Sequence, residues 1–190
     1  MDTDRRLVVG LGNPGTRYAA TRHNAGALVL QLLAERAGVR FKAHRSQCEV
    51  AETRLAEVPV VLARPMSYMN TSGGPVVAAA RFYKIPVEDV VVVHDELDLP
   101  FGALRVKRGG GDGGHNGLRS TTVSLGSNEY LRVRFGIGRP PGRQDPADYV
   151  LREFATDERK DLPFLLDRAA DAVESLLSQG LEATQNEFND

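Results

Sequence analysis

The chain has 190 residues, of which 42% are hydrophobic and 26% charged, and its net charge is −1. These proportions are ordinary for a globular protein and exclude disordered and fibrous classes, and the length suits one domain, residues 1–190, with a sizeable core. The charge is spread unevenly, because residues 101–145 carry +5 and residues 146–190 carry −7. The overall charge does not indicate a nucleic-acid-binding protein, but the distribution allows one basic face.

The cysteine content and the apolar runs bear on location. The only cysteine is Cys48, which excludes an intramolecular disulfide and favours a reducing compartment. No run reaches the roughly 18 to 20 apolar residues of a membrane span, and the apolar run after MDTDRR is too short for a signal peptide. The sequence therefore predicts a cytoplasmic protein that does not enter a membrane.

Apolar runs alternate with stretches of helical periodicity along the chain. The predicted strands are residues 7–11, 41–44, 49–54, 58–63, 90–94, 103–107 and 130–137. The predicted helices are residues 24–37, 74–83 and 116–125 and an acidic helix at about 157–186. A hairpin of strands 41–44 and 49–54 favours a mixed sheet. We expect an α/β fold, a single three-layer domain whose mixed, mostly parallel central sheet is flanked by helices.

The first motif, GLGNPG at residues 10–15, matches the dinucleotide-binding pattern G-x-G-x-x-G after a strand. The context argues against that use, because Pro14 removes a backbone N–H that a phosphate would need and Glu35 falls inside a predicted helix. Asn-Pro-Gly is also ordinary turn chemistry. A nicotinamide-dependent enzyme is the alternative, and a change of melting temperature on adding NAD tests it.

Two residues have the chemistry of a general base and its partner. His23 stands near the start of a predicted helix, where it is either a base that titrates near neutral pH or a surface or capping residue. Asp95 follows the β-branched run 90–94 at the end of a predicted central strand, where a carboxylate can orient a histidine. The chain has no G-x-S-x-G nucleophile elbow and no H-E-x-x-H zinc motif. Attack by water with histidine as base is the simplest chemistry.

Two further segments have both a functional and a structural interpretation. Asn70 follows an apolar strand and can either hydrogen-bond a substrate carbonyl or cap the next helix. The loop 109–114 has five glycines in six residues, with Lys107, Arg108 and Arg119 near it. Such a loop can bind a phosphate through its backbone, or it can be a flexible surface loop.

Six blocks taken together resemble the bacterial peptidyl-tRNA hydrolase family. In chain order, between residue 7 and about residue 140, they are LVVGLGNPG, TRHNAG, PMSYMNTSG, VVHDELDLP, GGGDGGHNGLRS and RVRFGIGRP. The resemblance implies hydrolysis of the ester between a peptide and the ribose of tRNA, which recycles tRNA from aborted translation. It also implies a monomer without metal or cofactor, whose partner is peptidyl-tRNA, contacted at the acceptor stem and the peptide backbone.

The resemblance also assigns roles to individual residues. His23 matches the histidine that activates water, and Asp95 matches the carboxylate that holds and polarises it. Asn13, Asn70 and Asn116 match the asparagines that hold the peptide backbone and help to place the water or the oxyanion. Tyr18 and Met69 match residues that line the pocket near the ester. Residues linked to the tRNA side match His115, Lys107 and Arg134, the last two near phosphate.

Two departures and one alternative accompany the resemblance. Asp112 places an acid inside the glycine-rich loop, and the acidic segment after about residue 145 matches less well, so no function is carried onto it. The alternative is a related RNA-binding module without catalysis. The presence of His23, Asp95 and all three asparagines argues against it, and release of peptide from peptidyl-tRNA discriminates the two.

Overall fold

The computed structural model describes residues 5–189. The strands are β1 Arg6–Gly10, β2 Lys42–Ala43, β3 Cys48–Leu55, β4 Val58–Pro65, β5 Val90–Glu96, β6 Leu104–Arg108 and β7 Leu131–Gly136. The helices are α1 Ala25–Ala37, α2 Gly73–Phe82, α3 Asn116–Leu125, α4 Pro146–Tyr149, α5 Thr156–Arg159, α6 Leu162–Gln179 and α7 Leu181–Phe188. Short 3₁₀ turns precede α1, α2 and β5, at Arg22–Asn24, Met69–Thr71 and Val87–Asp89.

The strands form one seven-stranded sheet in the order β2-β3-β4-β1-β5-β7-β6. The four central strands β4, β1, β5 and β7 are parallel, whereas β2, β3 and β6 run antiparallel to their neighbours. The predicted hairpin is confirmed by the antiparallel pairing of Lys42 with Val50. The expected mixed α/β sheet, parallel at its centre, is therefore confirmed.

Both faces of the central strands are buried, as the continuous β-branched run 90–93 predicts. Val91 and Val93 face the side covered by α1, α6 and α7, and Val90 and Val92 face the side covered by α2 and α3. All four valines are 0% exposed. Helices therefore cover the sheet on both sides, which gives the expected three layers. Among residues 5–189, none of the helices is both long and apolar enough to span a bilayer.

The expected single acidic helix at 157–186 is wrong, because three helices occupy this region. Pro163 lies in the first turn of α6 and starts a new helix there, since proline has no N–H to donate to the preceding turn. Gly180 separates α6 from α7 with φ 88° and ψ 178°, a backbone conformation open to glycine. The acidic face of α6 pairs with α1, where Arg36 binds Asp167, Asp171 and Glu174.

Candidate active site

The pair formed by His23 and Asp95 lies at the carboxyl end of β5, where α/β sheets place their functional residues. His23 is in the 3₁₀ turn that precedes α1, and Asp95 is near the end of β5. His23 Nδ1 is 2.9 Å from Asp95 Oδ2 and 3.1 Å from Oδ1. Because an ionised carboxylate only accepts hydrogen bonds, Nδ1 donates and the lone pair of Nε2 is left as the basic site of the ring.

Asp95 also sets the charge balance of the pair. Burial acts to lower the pKa of His23, but the charge of Asp95 and its hydrogen bond outweigh burial and raise that pKa above its usual value. Burial alone would raise the pKa of the Asp95 carboxyl, but His23 and His115 hold it well below its usual range. The geometry therefore provides a base with an ionised partner that stabilises its protonated form.

His115 holds Asp95 from the other side. Its Nδ1 accepts the backbone N–H groups of Gly117 and Leu118 at 3.1 and 3.2 Å, which caps the start of α3. Nδ1 therefore carries no proton, and Nε2 donates to Asp95 Oδ1 at 2.9 Å. The sequence associated His115 with the tRNA side, and its position against Asp95 is a contact that sequence reasoning missed.

The buried ring of His94 supports this arrangement. His94 Nδ1 donates to the backbone oxygen of Asp95 at 2.7 Å, and the ring stands edge-on to His115 with 5.2 Å between ring centroids. Burial, and then the neighbouring His115, lower the pKa of His94 to about 3. His94 is thus a neutral imidazole behind the charged pair.

The turn that carries His23 is fixed by the C-terminal segment. The backbone N–H of His23 donates to the oxygen of Val150 at 2.8 Å. Beside it, the buried Arg22 side chain donates to Tyr149 O and to Glu158 Oε1 at 3.3 and 3.0 Å, and its guanidinium lies 3.9 Å from the centre of the Tyr149 ring. Sequence analysis assigned no function to this segment, and nothing local in the sequence signals that it positions His23.

Asn13 is held in one orientation by two neighbouring loops. Its Oδ1 accepts the backbone N–H of Met69 at 2.7 Å, which leaves Nδ2 available as a donor. Its backbone N–H and C=O pair with the amide side chain of Asn24, both at 2.9 Å. Met69 is buried, and its sulfur is close to Gly117 at the start of α3, so that a side chain on Gly117 would collide with it. Asn13 and Met69 therefore lie beside the residues that hold Asp95.

The other two asparagines are exposed. The side chains of Asn70 and Asn116 form no hydrogen bond with any other residue in 5–189. Asn70 does not cap α2, because the N-cap position of that helix is Ser72. Tyr18, the other predicted pocket residue, packs edge-to-face against Tyr68, with 6.4 Å between ring centroids. Unpaired exposed amides are suited to contact with a ligand rather than to internal structure.

A cavity of about 150 Å³ opens in front of His23 and Asp95. One wall is the glycine-rich loop with His115 and Asn116, and the other is the start of α4. The structure thus brings four predicted site residues into one cavity: His23, Asp95, His115 and Asn116. Met69 lies beside this cavity, because its sulfur is close to Gly117, and Asn13 is bonded to Met69. Within residues 5–189, neither Asn70 nor Tyr18 forms a hydrogen bond or a ring contact with His23.

The two predicted phosphate ligands lie in a cation cluster on the same side of the sheet as α3. Arg105 and Lys107 of β6 stand opposite Arg134 and Arg132 of β7 in the strand register. Burial and the neighbouring arginines lower the pKa of Lys107, and burial also lowers that of Arg134. Within residues 5–189, buried Nε atoms without a hydrogen-bond partner include those of Arg105, Arg132 and Arg134. Glu96 offsets part of this charge, and the partly exposed Lys107 and Arg134 are the members of the cluster that an anion can reach.

The glycine-rich loop is partly held by internal hydrogen bonds. Arg132 donates to the carbonyl oxygens of Gly110 and Gly111 at 2.8 and 2.6 Å, so this part of the loop turns its acceptors to the sheet. Asp112 Oδ1 already accepts the N–H of Gly114 at 2.9 Å.

The dinucleotide interpretation of residues 10–15 is not supported, because the first two glycines, Gly10 and Gly12, have a packing role. A side chain on Gly10 would collide with Gly26 and Leu30 of α1, and one on Gly12 would collide with Asn24. Glu35, which would have to reach a ribose, lies on the surface of α1 and accepts a hydrogen bond from Gln31. These glycines allow α1 to approach β1 closely.

The three side chains of the charged centre are also chemically able to bind a metal ion. One nitrogen or oxygen atom from each of His23, Asp95 and His115 lies within 4.8 Å of the others. Imidazole nitrogens and a carboxylate are ordinary ligands of zinc and similar ions. The sequence spacing did not indicate this grouping, because the three residues come from different elements. In the geometry described here, direct hydrogen bonds join them.

The fold and the site define an α/β enzyme with a histidine–carboxylate pair at the carboxyl edge of its sheet. The peptidyl-tRNA hydrolase family model matches residues 7–190. The chain belongs to the peptidyl-tRNA hydrolase family, as its sequence motifs predicted.

Individual relatives support this assignment along nearly the whole chain. The peptidyl-tRNA hydrolase of Frankia casuarinae is 64% identical over 183 residues, which is 96% of this chain and 93% of the relative. That of Nocardia farcinica is 60% identical over 188 residues, 98% and 97% of the two chains. The crystal structure of peptidyl-tRNA hydrolase from Acinetobacter baumannii superposes with a TM-score of 0.91 at 37% identity, covering 98% of this chain and 95% of that one.

Proposed function

We propose that the chain hydrolyses the ester between a peptide and tRNA with water activated by His23. The observation that carries this proposal is the chain of hydrogen bonds from His115 through Asp95 to His23, which leaves His23 Nε2 as a base. Nε2 takes a proton from water as the oxygen attacks the ester carbonyl, and Asp95 stabilises the imidazolium that forms. The imidazolium then returns its proton to the departing ribose oxygen, which yields a free peptide carboxyl group and tRNA.

The asparagines account for breadth of substrate. An amide side chain offers a donor and an acceptor, so Asn70 and Asn116, together with the free Nδ2 donor of Asn13, can hold a peptide backbone without selecting side chains. In this proposal Tyr18 and Met69 line the pocket near the ester. An amide donor near the carbonyl also stabilises the oxyanion that develops during attack. Such a site serves peptides of any sequence.

The cation cluster accounts for recognition of the tRNA. We propose that Lys107 and Arg134 contact phosphates of the acceptor stem, and that the exposed face of the His115 loop lies toward the tRNA. Contacts with phosphate give affinity without reading base sequence. An enzyme that acts on every tRNA requires this property.

We further propose that one copy of the chain works alone, as a single domain, in the cytoplasm. The support is that the cavity, the charged centre and the cation cluster are all built from one chain. Analytical ultracentrifugation at assay concentration tests the first point.

Hydrolysis of an N-acetyl-aminoacyl-tRNA by the purified protein tests the function. We expect release of the N-acetyl amino acid, and a loss of about 10² to 10⁴ in rate for His23→Ala, the usual contribution of acid–base catalysis. His44→Ala is the matched control, because His44 packs on Phe82 and bonds Ser46 outside the cavity. Wild-type turnover by His23→Ala would refute the assigned role, and no turnover by the wild-type chain would refute the function.

A further inference from the structure

Arg132 on β7 is a charged side chain in a buried place. It is 1% exposed, and the centre of its guanidinium lies 4.6 Å from the centre of the buried Tyr130 ring. Within residues 5–189 it forms no ion pair with a carboxylate. A buried cation without a partner of opposite charge is unfavourable for folding, so packing and stability do not explain why an arginine stands here.

Both terminal nitrogens of Arg132 bond the glycine-rich loop 109–114. Nη2 donates to Gly110 O at 2.8 Å, and Nη1 donates to Gly111 O at 2.6 Å. Asn128 Nδ2 adds a bond to Gly110 O at 3.0 Å. Five of the six loop residues have no side chain, so side-chain packing cannot order the loop, and ordering its backbone costs conformational entropy. A planar guanidinium that binds two successive carbonyls holds the loop from the sheet.

The anchored residues of the loop lie between two parts of the site. At one end, Gly110 lies against Lys107, because a Cβ on Gly110 would be 2.6 Å from Lys107 Nζ. At the other end, the backbone N–H of His115 donates to Asp112 O at 2.8 Å, and His115 Nε2 donates to Asp95. The loop therefore connects the proposed phosphate ligand Lys107 with the carboxylate of the proposed catalytic pair.

We infer that Arg132 is a positioning residue of the proposed reaction, which holds the glycine-rich loop in the form that places His115 on Asp95. The inference rests on the proposed function, because it takes His23 and Asp95 as the catalytic pair. It assigns Arg132 no contact with tRNA or peptide, since the side chain is buried between the sheet and the loop. It implies that Arg132 affects activity through the loop and not through the stability of the fold.

Two variants separate the contact with the loop from the charge. Arg132→Met removes both, and replacing a buried charge by an apolar side chain is often neutral or stabilising, so we expect a melting temperature no lower than that of the wild type. Arg132→Lys keeps the charge but lacks the planar fork that bonds two carbonyls. In both variants we expect faster hydrogen exchange at the amides of Gly114 and His115, measured by NMR, while β1 and β5 exchange at the wild-type rate.

The second readout is the pH profile of kcat/KM on an N-acetyl-aminoacyl-tRNA. When the loop moves, Asp95 loses the donor His115 and interacts more strongly with His23. We therefore expect both Arg132 variants to lower kcat/KM by about 10- to 100-fold, the scale of a misplaced group, and to move the midpoint to higher pH. Adding His115→Asn to Arg132→Met should cause no further shift of the midpoint, because both changes remove the same contact.

Arg105→Met is the matched control. It removes a cation from the same cluster, and Arg105 forms no hydrogen bond with the loop in residues 5–189, so we expect wild-type exchange at Gly114 and His115 and an unchanged midpoint. Wild-type loop exchange in Arg132→Met, or wild-type kcat/KM in Arg132→Lys, would overturn the inference. So would an Arg132→Met variant that is unstable and exchanges rapidly throughout. If the wild-type chain released no N-acetyl amino acid, the proposed function would fall, whereas the exchange measurement would still test the anchoring by Arg132.

Discussion

The backbone N–H of His23 is bonded to the oxygen of Val150 at 2.8 Å, so the C-terminal third of the chain holds His23, the proposed base, in place. The adjacent Arg22 reinforces this contact through Tyr149 and Glu158. The segment that resembled the family least is therefore part of the support of the candidate active site.

Removal of the Arg22 side chain should weaken both stability and catalysis. Arg22→Ala leaves the partly buried Glu158 without its partner, for which we expect a loss of about 2 to 4 kcal/mol in the free energy of unfolding. We expect kcat to fall more than KM rises, because the turn that carries His23 loosens. Urea unfolding and steady-state kinetics measure the two effects. Arg152→Ala is the control, since that exposed side chain has no partner in residues 5–189, and equal behaviour of the two variants would contradict the prediction.

The pH dependence of hydrolysis should report the charge on Asp95. The pKa of His23 is raised chiefly by Asp95 against the opposing effect of burial, and the active form of a base is deprotonated, so kcat/KM should rise with pH through a pKa above the usual value for histidine. Asp95→Asn removes that charge, and we expect the midpoint to move to lower pH together with a lower maximal rate. A midpoint that stays at the wild-type pH would show that Asp95 does not control the protonation of His23.

His115→Asn provides the opposite change at the same carboxylate. Asparagine keeps the capacity to cap α3 but loses the donor to Asp95 Oδ1. With one donor fewer, the Asp95 carboxylate interacts more strongly with His23, so we expect the midpoint to move to higher pH. The melting temperature should fall, because the buried carboxylate loses one of its donors. A shift in the same direction as Asp95→Asn would argue against the positioning role of His115.

The cation cluster should determine the salt dependence of tRNA binding. For Lys107→Ala and Arg134→Ala we expect weaker binding and a slope of log K against log salt that is shallower by about 0.7 to 0.9 for each lost phosphate contact. Filter binding between low and moderate salt measures the slope. Arg54→Ala removes the same charge near the tip of the β3–β4 hairpin and should leave the slope unchanged. If Arg54→Ala flattened the slope as much, the phosphates would lie elsewhere.

Asn13 and Asn70 should differ in what they contribute. Asn13→Ala loses the bond to Met69 and should lower both the melting temperature and kcat/KM. Asn70→Ala loses no internal hydrogen bond and should lower kcat/KM alone, because its amide is available only to substrate. Calorimetry and kinetics on the two variants test this difference. Loss of stability in Asn70→Ala, or unchanged turnover, would contradict it.

Much of the fold was predictable because its signals are local. The β-branched run before Asp95 predicted a buried strand with a carboxylate at its end, and the periodicity after His23 predicted α1. The breaks around α6 were missed, because Pro163 and Gly180 lie within an otherwise helical and acidic pattern that predicted one continuous helix.

The unpredicted parts of the site depend on contacts between distant residues. Asp95 and His115 are 20 positions apart. They meet because the chain leaves β5, forms β6 and returns to the end of β5 just before α3 begins. Arg22 and Glu158 are separated by 136 positions. No local pattern indicates such pairs, because the same residue types would be equally acceptable on a solvated surface.

The close contact between Gly26 and the backbone of Val93 has a consequence for interpreting mutational screens. Any side chain at position 26 would overlap the Val93 carbonyl oxygen, so α1 would have to lift away from β5. His23 sits just before Gly26, and Asp95 just after Val93, so that movement would separate the two. A Gly26 variant would therefore be inactive in an activity screen, although glycine has no catalytic group. Only a structural measurement would distinguish a displaced α1 from the loss of a catalytic side chain.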